Sequence, residues 1–219
     1  MKKVIMTYII IFITTSLDAQ VINISDRQKF RQFDWESAVS LSIGLSSTSF
    51  KNTSQNFYGN GNINGEFYFE ISLLLGFFII DGLSIEPEID YNFFSGDATL
   101  SMIGNVSYTF NIPGKNIYPF IKIGYGISGY TAYGYNYYGV SDGLFESLDA
   151  KVINVGAGLK IVQSSSFAMR IELNYKNISY TQSQYDPYHD PYYEPYVGPN
   201  EISTNTSVLS IKIGGSFLF

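Results

Sequence analysis

From Trp35 onward, apolar and polar residues alternate with a period of two. The stretch LSIEPEIDYNFF sets Leu83, Ile85, Pro87, Ile89, Tyr91 and Phe93 against Ser84, Glu86, Glu88, Asp90 and Asn92. FAMRIELNYK sets Phe167, Met169, Ile171, Leu173 and Tyr175 against Ala168, Arg170, Glu172, Asn174 and Lys176. The final segment sets Leu209, Ile211, Ile213, Phe217 and Phe219 against Ser210, Lys212, Gly214 and Ser216. Successive side chains of a strand point to opposite faces, so these segments are strands with one apolar and one polar side. The same alternation, with less contrast, predicts five more strands near residues 37–47, 63–80, 99–112, 117–134 and 148–162.

The connections alternate in length. Asp81-Gly82, Pro113–Asn116 and Ser164–Ser166 are tight turns with suitable turn chemistry. Thr48–Asn62, Tyr135–Ser147 and Tyr185–Thr204 are long, and Ser95–Ala98 is short. Tight turns at one end and mostly long loops at the other suit an antiparallel up-and-down barrel spanning a membrane.

Alternation leaves open which face points inward. An eight-strand barrel has an interior just wide enough for side chains to fill. The apolar faces, rich in Phe, Tyr, Ile and Leu, would overfill it at native packing density. The polar faces, rich in Ser, Gly and Asn, would fit. They also carry Glu66, Glu70, Glu86, Glu88, Asp90 and Glu172 against Lys122, Lys160, Arg170, Lys176 and Lys212. Buried charges need partners, and a closed lumen supplies them. The expectation is therefore an all-β, eight-stranded antiparallel transmembrane barrel with a polar lumen. A sandwich with these charges in water is the competing arrangement. Leu74, Phe78 and Ile80 fall on the lumen side and are expected to plug the turn end.

Composition narrows the class. Charged residues make up 15% and aromatics 17%, with 20 Gly and no Cys. The absence of Cys excludes disulfides, thiolate metal sites and a lipidated N-terminal Cys. A net charge of −6 with no basic run argues against nucleic acid. No stretch is apolar for the 18 residues a spanning helix needs. Lys2 and Lys3 precede an apolar run from Val4 to Ile13, and Ala19 can sit before a cleavage point. Residues 1–19 are thus expected to be a cleaved signal peptide, residues 20–34 a linker, and residues 35–219 the barrel domain.

The chain closes on KIGGSFLF. Lys212, Gly214, Phe217 and Phe219 resemble the terminal signal by which outer-membrane barrels are recognised for assembly. YPFIKIGYGISGY resembles the fifth-strand region of the small OmpA/OmpX-like outer-membrane β-barrel domain. The resemblance implies a Gram-negative outer-membrane location and two kinds of partner, outer-membrane lipids and the barrel-assembly machinery. It also implies a structural or adhesive role at the cell surface. The alternative is passage of a small hydrophobic molecule through a lateral opening.

Nothing in the chain indicates a reaction, a cofactor or a catalytic residue. Its single histidine, His189, lies in a loop with no evident nucleophile beside it. That loop, YDPYHDPYYEPYVGP, repeats an acid-Pro-Tyr unit every four residues. Asp186, Asp190 and Glu194 offer oxygens to Ca²⁺, and Tyr188, Tyr192 and Tyr196 offer rings to a surface glycan or protein. A solvated loop kept from aggregating by its acids and prolines is the plainer interpretation. The Gly/Tyr stretch at 130–143 is expected to extend strands five and six with interfacial tyrosines.

Overall fold

The computed structural model describes residues 30–52, 61–94, 97–131, 146–184 and 200–219. The strands are β1 (Trp35–Asn52), β2 (Gly61–Ile80), β3 (Leu83–Phe94), β4 (Asp97–Thr109), β5 (Ile117–Thr131), β6 (Glu146–Val162), β7 (Phe167–Gln184) and β8 (Asn200–Leu218). Each pairs antiparallel with the next, and β8 closes on β1. Closure leaves no free edge within the wall, which is what a strand sheet in hydrocarbon requires.

The stagger follows from the pairing. Ala38 is followed round the wall by Leu74, Glu88, Ile103, Gly126, Val152, Ile178 and Thr206, and the circuit returns to β1 at Thr48. A slip of ten residues over eight strands tilts them roughly 40° from the axis, given a rise of about 3.3 Å and a spacing of about 4.8 Å. Each residue then climbs about 2.5 Å along the axis. The 12 residues of β3 cover about 30 Å, close to the apolar band of a membrane barrel.

Turn chemistry sets the lower rim. Gly82 has φ 81° in the Asp81-Gly82 turn, and a Cβ there would lie 2.4 Å from the Thr109 carbonyl oxygen. Only glycine accepts both conditions. Phe78 is fully buried, whereas Ile80 is exposed. The register of β2 against β3 shifts between these residues, so Ile80 turns away from the lumen it was expected to plug.

Several boundaries differ from the alternation pattern. β1, β7 and β8 run further toward the loop end, where Ser, Thr and Asn on both sides erase the polarity contrast. β4 stops at Thr109, and Phe110 instead bonds back to the Pro119 carbonyl at 2.8 Å before the turn. The upper rim is uneven, because β2 has 20 residues and β3 only 12. Residues 30–34, expected as linker, fold beneath the wall. Phe33 N–H donates to the Phe78 carbonyl at 2.7 Å, and Phe30 is buried inside the turn end. A polar neighbourhood hid this one aromatic anchor.

Candidate functional site

The lumen is filled in layers. At the turn end Phe30, Phe78, Tyr118, Val162 and Ala168 form an apolar plug. Phe30 meets Phe78 at 5.5 Å and stands edge-on to Tyr118 at 5.2 Å, geometries aromatic quadrupoles favour. The Lys160 ammonium sits 4.9 Å from the Phe30 ring centre, joining the plug to the charges above.

Those charges come from strands that place one polar residue inward at every second position. Lys160 pairs with Glu36 at 2.5 Å and Glu86 at 3.6 Å. Arg170 reaches Glu86 at 3.1 Å and Glu172 at 3.3 Å, with its guanidinium 4.2 Å from the Phe120 ring centre. Lys122 lies 2.9 Å from Glu88 and 2.8 Å from Glu172. Lys212 joins Glu88 at 2.5 Å, Glu70 at 2.8 Å and Asp90 at 3.7 Å. Lys176 completes the set by bridging Glu70 and Asp90. Every cation touches at least two carboxylates, and all these side chains are buried. Buried ions are tolerable only when opposite charges lie this close.

Amides extend the network sideways. Asn105 Nδ2 donates to Glu88 at 2.8 Å, Asn154 Nδ2 to Asn105 Oδ1 at 2.8 Å, and Asn174 Nδ2 to Glu172 at 2.7 Å. The Tyr68 hydroxyl lies between the Glu70 carboxylate and Asn92 Oδ1. Asn92 donates to Thr99 and Ser101, both at 3.1 Å. Gly156 makes room on β6: a Cβ there would lie 2.4 Å from Glu172 Oε1 and 3.1 Å from Lys122 Cε. Near the loop end Ile103, Ala150, Val152 and Ile178 form a small apolar cluster inside the wall. The carboxylates of Glu70, Glu88 and Asp90 come within 4.8 Å of one another, as metal ligands would. The Lys176 and Lys212 ammonium groups bind these same acids, so the cluster suits two ammonium ions.

The structure thus brings together Glu70, Glu86, Glu88, Asp90, Lys122, Lys160, Arg170, Glu172, Lys176 and Lys212. It does not bring in Glu66. That residue is half-buried, two positions from Tyr68 toward the loop end, with no ion pair to a described residue. Two members escaped the sequence pattern. Glu36 shares the parity of Ala38 and Ser40 but lies one residue before the expected start of β1. Tyr68 shares the parity of Glu66, Glu70 and Ser72, but an uncharged ring gives no sign of the carboxylate it serves. Of the terminal set, Lys212 is in the network and Gly214 packs against Ser40. Phe217 and Phe219 face outward, and Phe219 N–H donates to the Trp35 carbonyl at 2.9 Å. Asp186, Tyr188, His189, Asp190, Tyr192, Glu194 and Tyr196 lie outside the described residues, as does the stretch from 132 to 143.

The two faces have opposite fates. Ile89, Leu173 and Ile213 are 46%, 56% and 53% exposed, while neighbouring Glu88, Arg170 and Lys212 are each 2% exposed. An outside this apolar, with ions within, is stable only in hydrocarbon. The fold is that of a transmembrane β-barrel. Trp35, Phe77, Phe110, Phe167 and Phe217 gather outside the barrel at the turn end, where membrane barrels carry an aromatic girdle.

No family model matches the chain, and no curated protein matches it. Among solved structures the barrel is similar to the outer membrane protein OprG from Pseudomonas aeruginosa. Identity is 12%, covering 89% of this chain and 99% of that one, with a TM-score of 0.55. It is also similar to Neisserial surface protein A, at 12% identity over 81% of this chain and 97% of that one, with a TM-score of 0.43. The likeness to OprG carries the fold of the small eight-stranded outer-membrane barrels.

Proposed function

We propose that this chain is an integral outer-membrane barrel with a closed lumen, whose role is structural or adhesive. The observation that carries this reading is the continuous filling of the interior. An aromatic plug, an ion network in which every cation meets at least two carboxylates, and a hydroxyl-amide belt follow one another along the interior. Such a wall is a rigid mount for the segments at 53–60, 132–145 and 185–199. The acid-Pro-Tyr repeat of the last is the part we assign to contact with a glycan or protein, and the reading involves no reaction.

Reconstitution in planar bilayers tests the closed lumen. Wild-type protein is expected to give no stepwise conductance, and stable channels carrying small ions would overturn the reading. The adhesive part is tested by replacing residues 185–199 with a Gly/Ser linker. Loss of cell-surface or glycan attachment, with the barrel still folded, is the expected result.

A second reading has one observation in its favour. The apolar cluster of Ile103, Ala150, Val152 and Ile178 lies beside the register irregularity of β5 against β6 between Ser128 and Tyr130. That juxtaposition suits a small apolar molecule leaving sideways above the ion network. Faster entry of an apolar fluorophore into proteoliposomes than into empty vesicles would favour it over the closed barrel.

A further inference from the structure

On the outside of β6, β7 and β8 the surface changes character within one position. Leu173 and Tyr175 give way to Asn177 and Ser179, Leu209 gives way to Ser207 and Asn205, and Ile153 gives way to Lys151. The register sets Lys151 opposite Ser179, Ser179 opposite Asn205, and Asn177 opposite Ser207. Directly opposed side chains in an antiparallel pair stand about 5 Å apart. One cation, two amides and two hydroxyls therefore form a single patch at the upper edge of the apolar band.

The patch is held in shape. Asn177 Nδ2 donates to Asn205 Oδ1 at 2.7 Å and to Ser207 Oγ at 3.2 Å, and the Tyr175 hydroxyl meets Ser207 Oγ at 3.2 Å. These bonds occupy one end of each amide. The Asn177 carbonyl oxygen and the Asn205 amide N–H groups are not used by these bonds and leave one acceptor and one donor. Lys151 is exposed and has no ion pair to a described residue. No side chain described on this face of the three strands is a carboxylate; Asp149 stands two positions from Lys151 on β6.

We propose that this patch binds the phosphorylated sugar headgroup of a glycolipid in the outer leaflet. The same strands carry the hydrocarbon-facing band below, so a lipid whose chains cover Ile153, Leu173 and Leu209 must place its headgroup at this height. The phosphate meets the Lys151 ammonium. Sugar hydroxyls both donate and accept, which matches the paired amide ends. A phosphatidylglycerol headgroup offers the phosphate but no sugar ring for the amides.

The inference rests on the outer-membrane reading. Native mass spectrometry of the folded protein in detergent tests it, with three probes: bis-phosphorylated lipid A, its dephosphorylated form and phosphatidylglycerol. At equal concentration the bis-phosphorylated probe is expected to give at least tenfold more adduct than either other. Lys151→Glu, and separately Asn177→Ala with Asn205→Ala, are expected to lower that adduct about tenfold. Lys115→Glu, at the opposite end, is expected to leave it unchanged. Equal adducts with phosphatidylglycerol, or wild-type adducts in Lys151→Glu, would overturn the proposal. Faster migration of unboiled than boiled protein on gels reports the folded barrel. Its loss in the wild type would count against the membrane reading, separately from the glycolipid.

Discussion

Lys212→Met is the substitution that most directly probes the lumen. The Lys212 ammonium lies 2.5 Å from Glu88, 2.8 Å from Glu70 and 3.7 Å from Asp90, and all four side chains are buried. Methionine approximates the stem and leaves no large cavity, so the change isolates the charge. Glu88 keeps Lys122, and Glu70 and Asp90 keep Lys176, but three carboxylates within 4.8 Å then share less positive charge. Removing one partner of a buried ion pair costs about 3–5 kcal/mol. The surviving partners put the expected loss near the low end, about 3 kcal/mol, or roughly a hundredfold in the folding equilibrium. Urea unfolding in lipid vesicles measures it. The single tryptophan, Trp35, is exposed on the outer face of the turn end and reports transfer from lipid to water. Adding Glu88→Gln removes one of the carboxylates left short of a partner. The double variant is expected to be more stable than the sum of the single losses by about 1 kcal/mol or more. A Lys212→Met barrel within about 0.5 kcal/mol of wild type, or strictly additive effects, would refute the claim that these buried charges depend on one another.

Four further outcomes follow from the same geometry. Leu173→Lys puts a charge near the middle of the lipid-facing band and is expected to destabilise the barrel in vesicles by about 2–4 kcal/mol; a value near zero would place that face outside hydrocarbon. Gly156→Val drives carbon atoms into the Glu172 carboxylate and Lys122 stem, for an expected loss of about 1–3 kcal/mol. In the same assay Gly104→Ala, whose Cβ meets nothing closer than 3.9 Å, is expected to change stability by less than about 0.5 kcal/mol. Deleting Phe219 removes the closing bonds to Trp35 and one terminal aromatic. Insertion in cells, measured by surface protease accessibility, is expected to fall far more than refolding into vesicles; equal insertion would argue against a role in assembly.

The face assignment was legible because it rests on volume. Phe, Tyr, Ile and Leu at every second position of eight strands exceed what so narrow an interior holds, whichever strands are neighbours. Glu88, Arg170 and Lys212 could thus be placed inside from parity alone. The same rule misplaced Ile80, because a register shift beside a tight turn reverses parity locally. It also missed Phe30, whose burial depends on the chain folding back under a wall that local sequence does not describe.

Period-two alternation with turn residues determined by itself that this chain forms strands with two opposed faces, since side-chain direction in a strand is a local property of the backbone. Only the closed tertiary arrangement decided which acid meets which base. Lys212 and Glu88 are 124 positions apart, and a stagger of ten residues around eight tilted strands brings them to one height across the lumen. Such pairing is set by closure, stagger and side-chain length together, and none of these is local.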